Sequence, residues 1–336
     1  FGGPGFVPAA GGRTFPAQSS SGFLTLAGVI IFALSLSAGV ANAASKDLQF
    51  DEKGKFKIVQ FTDVHWKSDS TNHAAKILGK MASVLDIEKP DLVIFTGDVV
   101  TSRPVEKGWE KVLLPIVERK IPWAATLGNH DDEHDLKRAE IVSLLEQRPH
   151  SLVARGPVDI DGEGNFILRI KSRRDKQKDA AIIYCLDSLT YSATYLARSQ
   201  EERKKHPNDR YAWIEPSQIE WYRENSKKLT KGNGGTPLPS LAFFHIPLPE
   251  FNAAWDSQTP PPIGSKGEPV CCPEKNSGLF SAMVDCRDVM GVFVGHDHDN
   301  DYAGLADGIC LAYGRALGLD TYGKLPKGAR VIELNE

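Results

Sequence analysis

A layered α/β (α+β) fold follows from two features of the sequence. Short β-branched runs alternate with stretches of helical apolar spacing, and clusters of Asp, Asn and His recur where such a run ends. With 41% hydrophobic and 25% charged residues over 336 positions, the chain can bury a substantial core, and one domain over 54–336 accommodates the pattern. The formal net charge of -3 argues against a chain built to coat nucleic acid or an anionic membrane.

Phe56 to Thr62 reads as a strand ending at Asp63, and Ala74 to Glu88 as a helix with Ile77, Leu78, Met81, Val84 and Leu85 on its apolar face. Asp91 to Thr96 is a second strand, closed by Gly97-Asp98. Val105 to Arg119 is helical, and Trp123 to Leu127 is extended and runs into Gly128-Asn129-His130. Strands at Phe166 to Ile170 and Ala181 to Leu186 flank the basic run Lys171 to Lys178, a solvated hairpin tip rather than a binding patch. Pro216 to Leu229 reads as a helix with proline in its first turn, and Lys231 to Pro239 as a turn. Leu241 to Phe244 is a buried strand that delivers His245. Asp256 to Asn276 lacks periodicity, and a loop of that length suits a site better than a plain connection. Ser281 to Val289 is helical, and the strand Val292 to Val294 ends at Gly295-His296-Asp297-His298.

Ahead of the domain, Phe23 to Val40 is apolar and uncharged and precedes Ala41-Asn42-Ala43, a small-x-small pattern that suits signal peptidase. The expectation is an export segment over 1–43. The alternative is an uncleaved anchor over 23–40, whose length approaches a membrane span. Either places the remainder outside the cytoplasm, secreted or on the periplasmic or extracellular side. Cys185, Cys271, Cys272, Cys286 and Cys310 lack zinc-site spacing. In an oxidising compartment one or two disulfides are expected, with a bridge from Cys271 or Cys272 to Cys286 or Cys310.

Five fragments carry the chemistry: Asp63-Val64-His65, Gly97-Asp98, Gly128-Asn129-His130, His245 and Gly295-His296-Asp297-His298. They hold five of the nine histidines. Imidazole, carboxylate and amide oxygen are the donors a hydrolytic divalent metal takes while keeping positions open for water and substrate. A pair of ions needs a ligand able to bridge, and Asp98 is the natural one. Loops beyond the carboxyl ends of sheet strands converge on one crevice, and glycine before Asp98, Asn129 and His296 permits a sharp turn.

In this order, the fragments resemble the calcineurin-like metallophosphoesterase superfamily, whose pattern is D-x-H, G-D, G-N-H-D/E, a lone H and G-H-x-H; the resemblance spans Phe56 to about Tyr302. His245-Ile246-Pro247-Leu248-Pro249-Glu250-Phe251, Asn276-Ser277-Gly278-Leu279-Phe280 and the run from Gly295 to Asp301 look like the branch known in plants as purple acid phosphatase type 29. The resemblance implies a four-layer α/β/β/α sandwich. It also implies one metal held by Asp63, His65, Asp98 and His298, and another by Asp98, Asn129, His245 and His296. Purple enzymes resemble D-x-G followed by G-D-x-x-Y, with a tyrosine on iron. Here His65 replaces that glycine and Thr101 that tyrosine, so the metals stay open among iron, manganese and zinc.

The activity implied is hydrolysis of a small phosphate ester, a monoester foremost, by hydroxide activated between two metals. His130 is the candidate general acid, with Asp131 orienting its imidazole. The alternatives are a phosphodiesterase or nucleotide hydrolase, and a metal-binding protein with little turnover. No basic, aromatic-studded groove favours nucleic acid as partner.

Overall fold

Residues 47–206 and 209–336 are described by a computed structural model; the expected export segment over 1–43 lies outside them. Strands β1 (Lys55–Phe61), β2 (Leu92–Thr96) and β3 (Trp123–Thr126) run parallel, and β10 (Arg330–Asn335) adds antiparallel to β1, giving the order β10-β1-β2-β3. Every residue of β2 and β3 is buried, as parallel strands covered on both faces require. Helices α1 (Thr71–Glu88) and α2 (Val105–Val117) connect these strands. Ile77, Met81 and Leu85 recur every four residues on α1 and are buried.

The second sheet has the order β4-β5-β6-β7-β9-β8, formed by β4 (Phe166–Lys171), β5 (Asp179–Cys185), β6 (Ser240–Phe243), β7 (Val289–Val294), β8 (Ala303–Ala306) and β9 (Ile309–Tyr313). The period-two geometry of its strands divides the core. Ile183, Cys185, Leu241, Phe243 and Phe293 face the first sheet, in one cluster with Ile58, Phe61 and Phe95. Ile182, Tyr184, Ala242, Val292 and Leu311 face the other way. They pack on Tyr222 of α6 (Pro216–Gly232), Phe251 of α7 (Phe251–Asp256) and Met283 of α8 (Leu279–Cys286). The layers are therefore α/β/β/α, as expected.

Three details depart from the sequence reading. Helix α8 stops at Cys286 rather than running to Val289, because Arg287 takes a left-handed conformation (φ 59°) and β7 begins two residues later. The helix α3 (Arg138–Glu146) and the short helices α4 (Ala193–Ala197) and α5 (Gln200–Lys205) were unforeseen. All five cysteines are free, so the expected bridge from Cys271 or Cys272 does not form. Basic Lys171 to Lys178 does cap an antiparallel hairpin, β4–β5. Among the described residues no helix is long and apolar enough to cross a membrane.

The outer helix layer is anchored by Trp109 of α2, fully buried, stacked on Trp123 of β3 at 6.4 Å and edge-on to Phe95 of β2 at 5.7 Å. Trp109→Ala is expected to cost about 3–5 kcal/mol in urea unfolding; a loss below about 1 kcal/mol would contradict this packing role.

Candidate metal centre

The parallel strands β1, β2, β3, β6 and β7 all release their chains at one edge of the sandwich, and every sequence-predicted ligand stands there. The chain turns abruptly at these points. Asp63, His65, Asp98 and His296 adopt positive φ of 50°, 44°, 52° and 80°, a region that residues with a Cβ seldom occupy and that marks functional sites. Gly97 before Asp98 turns with φ 82°, whereas Gly128 and Gly295 serve close approach. A Cβ on Gly128 would lie 2.2 Å from Asp98 Oδ1, and one on Gly295 would lie 2.0 Å from Thr62 Oγ1.

Two groups of donors result: Asp63, His65 and His298, and Asp98, His245 and His296. Asp98 joins them, with Oδ2 3.2 Å from His245 Nε2 and 3.5 Å from His65 Nε2. On the other side His298 Nε2 lies 3.2 Å from Asp63 Oδ1. Buried Asn129 reaches the centre with its side chain held by Nδ2 donating to Tyr191 Oη at 3.0 Å. Its Oδ1, like His65 Nε2, is buried without a hydrogen-bond partner among the described residues. Unsatisfied buried donors and acceptors are costly, and two carboxylates, four imidazoles and a free amide oxygen fit a pair of cations.

Electrostatics agree with that fit. Burial opposes ionisation of Asp98, but the imidazoles of His245 and His65 hold its carboxyl well below the usual range. Burial likewise disfavours a charged His245, yet the carboxylates of Asp98 and Asp63 lift its pKa to about 9. His245 Nδ1 lies 2.7 Å from the Thr96 carbonyl, which can only accept, so Nδ1 carries a hydrogen and Nε2 is the nitrogen turned to Asp98. For His65 burial dominates, and its pKa falls to about 4.

Asp131 does not orient His130, contrary to expectation. Its carboxylate is buried and accepts four backbone N–H bonds, from Asp98 (2.8 Å), Val99 (2.8 Å), Val100 (3.3 Å) and Gly128 (2.7 Å). The partner of His130 is Glu133, whose Oε2 lies 2.7 Å from Nδ1. Burial works against a charged His130, but the Glu133 bond and the Asp98 charge outweigh it and raise its pKa.

Three supporting residues escaped the sequence reading. Thr62 Oγ1 donates to Asp63 Oδ2 at 2.8 Å. Arg138, paired with fully buried Asp187, donates from Nη1 to the Gly128 carbonyl at 2.7 Å and so grips the turn before Asn129. Tyr191, the acceptor for Asn129, lies in a stretch without periodicity. For Arg138 and Tyr191 the sequence carries no local signal, since their partners are distant in the chain. For Thr62, adjacency to Asp63 at a strand end was a usable one.

The centre opens into a cleft of about 390 Å³ lined by His65, Asp98, His130, His296 and His298, with Arg210 and Tyr211 on one wall and Tyr322 on another. The aperiodic 256–276 loop contributes Glu268 and Cys271 to its rim. These two form a third cluster with Asp297, but both carboxylates already accept hydrogen bonds: Glu268 from Tyr322 Oη, and Asp297 from Tyr313 Oη.

The pattern defining the Calcineurin-like phosphoesterase family matches residues 56–300. Over 330 residues the chain is 34% identical to "Probable inactive purple acid phosphatase 29" of Arabidopsis thaliana, covering 89% of this chain and 82% of that protein. It is 36% identical over 288 residues to "Phosphatase DCR2" of Saccharomyces cerevisiae, covering 78% of this chain and 47% of that one. A crystal structure of a dimetal phosphatase from Danio rerio shares the fold with a TM-score of 0.53 at 14% identity, over 78% of this chain and 87% of that chain. A match running from β1 through the last histidine pair, over a sandwich with its donors at the strand ends, makes this chain a member of the calcineurin-like phosphoesterase family.

Proposed function

We propose that the chain is a dinuclear-metal phosphomonoesterase. The observation that carries this reading is Asp98, one carboxylate within reach of imidazoles from both donor groups. Asp63, His65, Asp98 and His298 would hold one ion, and Asp98, Asn129, His245 and His296 the other. Iron, manganese and zinc all suit this shell. When bound, such ions supply positive charge to phosphoryl oxygens and lower the pKa of water.

The chain's own residues account for the remaining requirements. His130 lines the cleft, and with Nδ1 engaged by Glu133 its Nε2 is the nitrogen left to hand a proton to the departing alcohol. The Glu133 contact fixes the ring's orientation, the part expected earlier of Asp131. Asp131 instead keeps the backbone on both sides of Asp98 in place. Burial of Asp63, Asp98 and His245 keeps water from competing for the donor atoms. A binder without turnover is the second reading, suggested by relatives whose names call them inactive; against it, every donor position of the family pattern is filled.

Asp98→Asn should lower both metal content, by elemental analysis, and phosphate release from an aryl monoester, the latter by at least about 100-fold. Wild-type metal and rate in that variant would remove the bridging role, and metal without phosphate release in the wild type would favour the binder. His130→Ala should slow esters with poor leaving groups by roughly 100-fold and good ones much less, since proton donation contributes about 10²–10⁴-fold where it is needed. Equal losses on both would reassign the residue. With Thr101 at the position of the purple enzymes' tyrosine and Tyr322 Oη bound to Glu268, the metal-loaded protein should show no tyrosinate-to-metal band in its visible spectrum.

A further inference from the structure

The cleft wall above His130 and His296 is built by a stack of tyrosines. Tyr191 stacks on Tyr195 at 5.7 Å and on Tyr211 at 5.9 Å, while Tyr211 meets the His296 ring edge-on at 4.6 Å. Arg210 lies over this stack, its guanidinium carbon 5.5 Å from the Tyr191 ring centre and 5.1 Å from that of Tyr211. The backbone fixes its place: Ser192 N donates to the Arg210 carbonyl at 2.9 Å and Ala212 N to that of Thr190 at 2.8 Å. Among the described residues Arg210 makes no ion pair, whereas neighbouring Arg198 pairs with Asp209, and Arg210 Nε is buried with no hydrogen-bond partner. A half-buried guanidinium held beside a metal-competent cleft with donors to spare is set up for an anion from outside the protein.

We infer that Arg210 grips terminal phosphoryl oxygens of the substrate and thereby favours monoesters over diesters, an inference that rests on the phosphoesterase reading of the cleft. A monoester presents three terminal oxygens and up to two negative charges; a diester presents two oxygens and one charge. Two N–H groups of the guanidinium can converge on a single such oxygen. With a diester the guanidinium would compete for the same two oxygens as ions held by the Asp and His donors, and with a monoester one terminal oxygen would be left to it. The tyrosine rings lie against the guanidinium and restrict its movement.

The test uses the metal-loaded protein with Arg210→Gln and Arg210→Lys, taking unchanged metal content and thermal midpoint as the mark of an intact fold. Rates on an aryl monoester and a bis-aryl diester are compared, and inorganic phosphate binding is measured by calorimetry. For Arg210→Gln, kcat/KM on the monoester should fall roughly 10- to 100-fold. The diester should lose no more than about threefold, phosphate should bind roughly tenfold more weakly, and Arg210→Lys should fall between the two. Parallel losses on both esters, or no loss on the monoester, overturn the inference while leaving the phosphoesterase reading intact. If the wild type hydrolyses neither ester, that reading fails by itself. Phosphate affinity then decides for Arg210: weakened in Arg210→Gln it upholds the grip, and unchanged it ends it.

Discussion

The centre depends on one buried carboxylate whose hydrogen bonds, among the described residues, all go to backbone amides. Asp131 gathers the amides of Asp98, Val99, Val100 and Gly128, so a single side chain ties the turn after β2 to the turn after β3. The left-handed conformation of Asp98 costs about 1–3 kcal/mol, and four hydrogen bonds to a charged acceptor offset it. Asp98 in turn accepts the amide of His130 at Oδ1, 2.8 Å away, which leaves Oδ2 turned toward the imidazoles. The backbone around Asp98 therefore decides which of its two oxygens is left free.

The same economy of contact explains the glycines. At Gly128 and Gly295 the loops pass so near a carboxylate or hydroxyl of the opposite loop that even a methyl group has no room. Strand ends from two different sheets can share one pocket only if their chains nearly touch. The left-handed residues and the glycines are two solutions to that crowding: the first aims a side chain into the pocket, and the second makes way for someone else's.

Much of this was legible in the sequence, for a physical reason. Strand termination and ligand type are local properties, so Asp63, Asp98, Asn129, His245 and the 296/298 pair could be read from apolar runs that stop at polar clusters. What escaped reading was set by which partner each group meets in the fold, near or far in the chain. Glu133 rather than Asp131 meets His130 because the turn after Asn129 spends Asp131 on backbone amides. Arg138 reaches the Gly128 carbonyl from the start of an unforeseen helix, and Tyr191 reaches Asn129 across 62 positions. The cysteines failed as a guide because adjacency in sequence or a shared compartment says nothing about Sγ positions in the fold.

The chain leaves the cleft wall at Tyr191 and returns to it at Tyr211, with the two residues bridged to each other. Tyr195 and Arg210, near the two ends of the segment between them, still belong to the wall, whereas helix α5 in its middle buries none of its residues. Closing a longer or shorter loop across a fixed neck changes free energy only slowly with length. Changes of length or sequence around α5 are thus open to the chain without disturbing the donor-bearing end of the pocket.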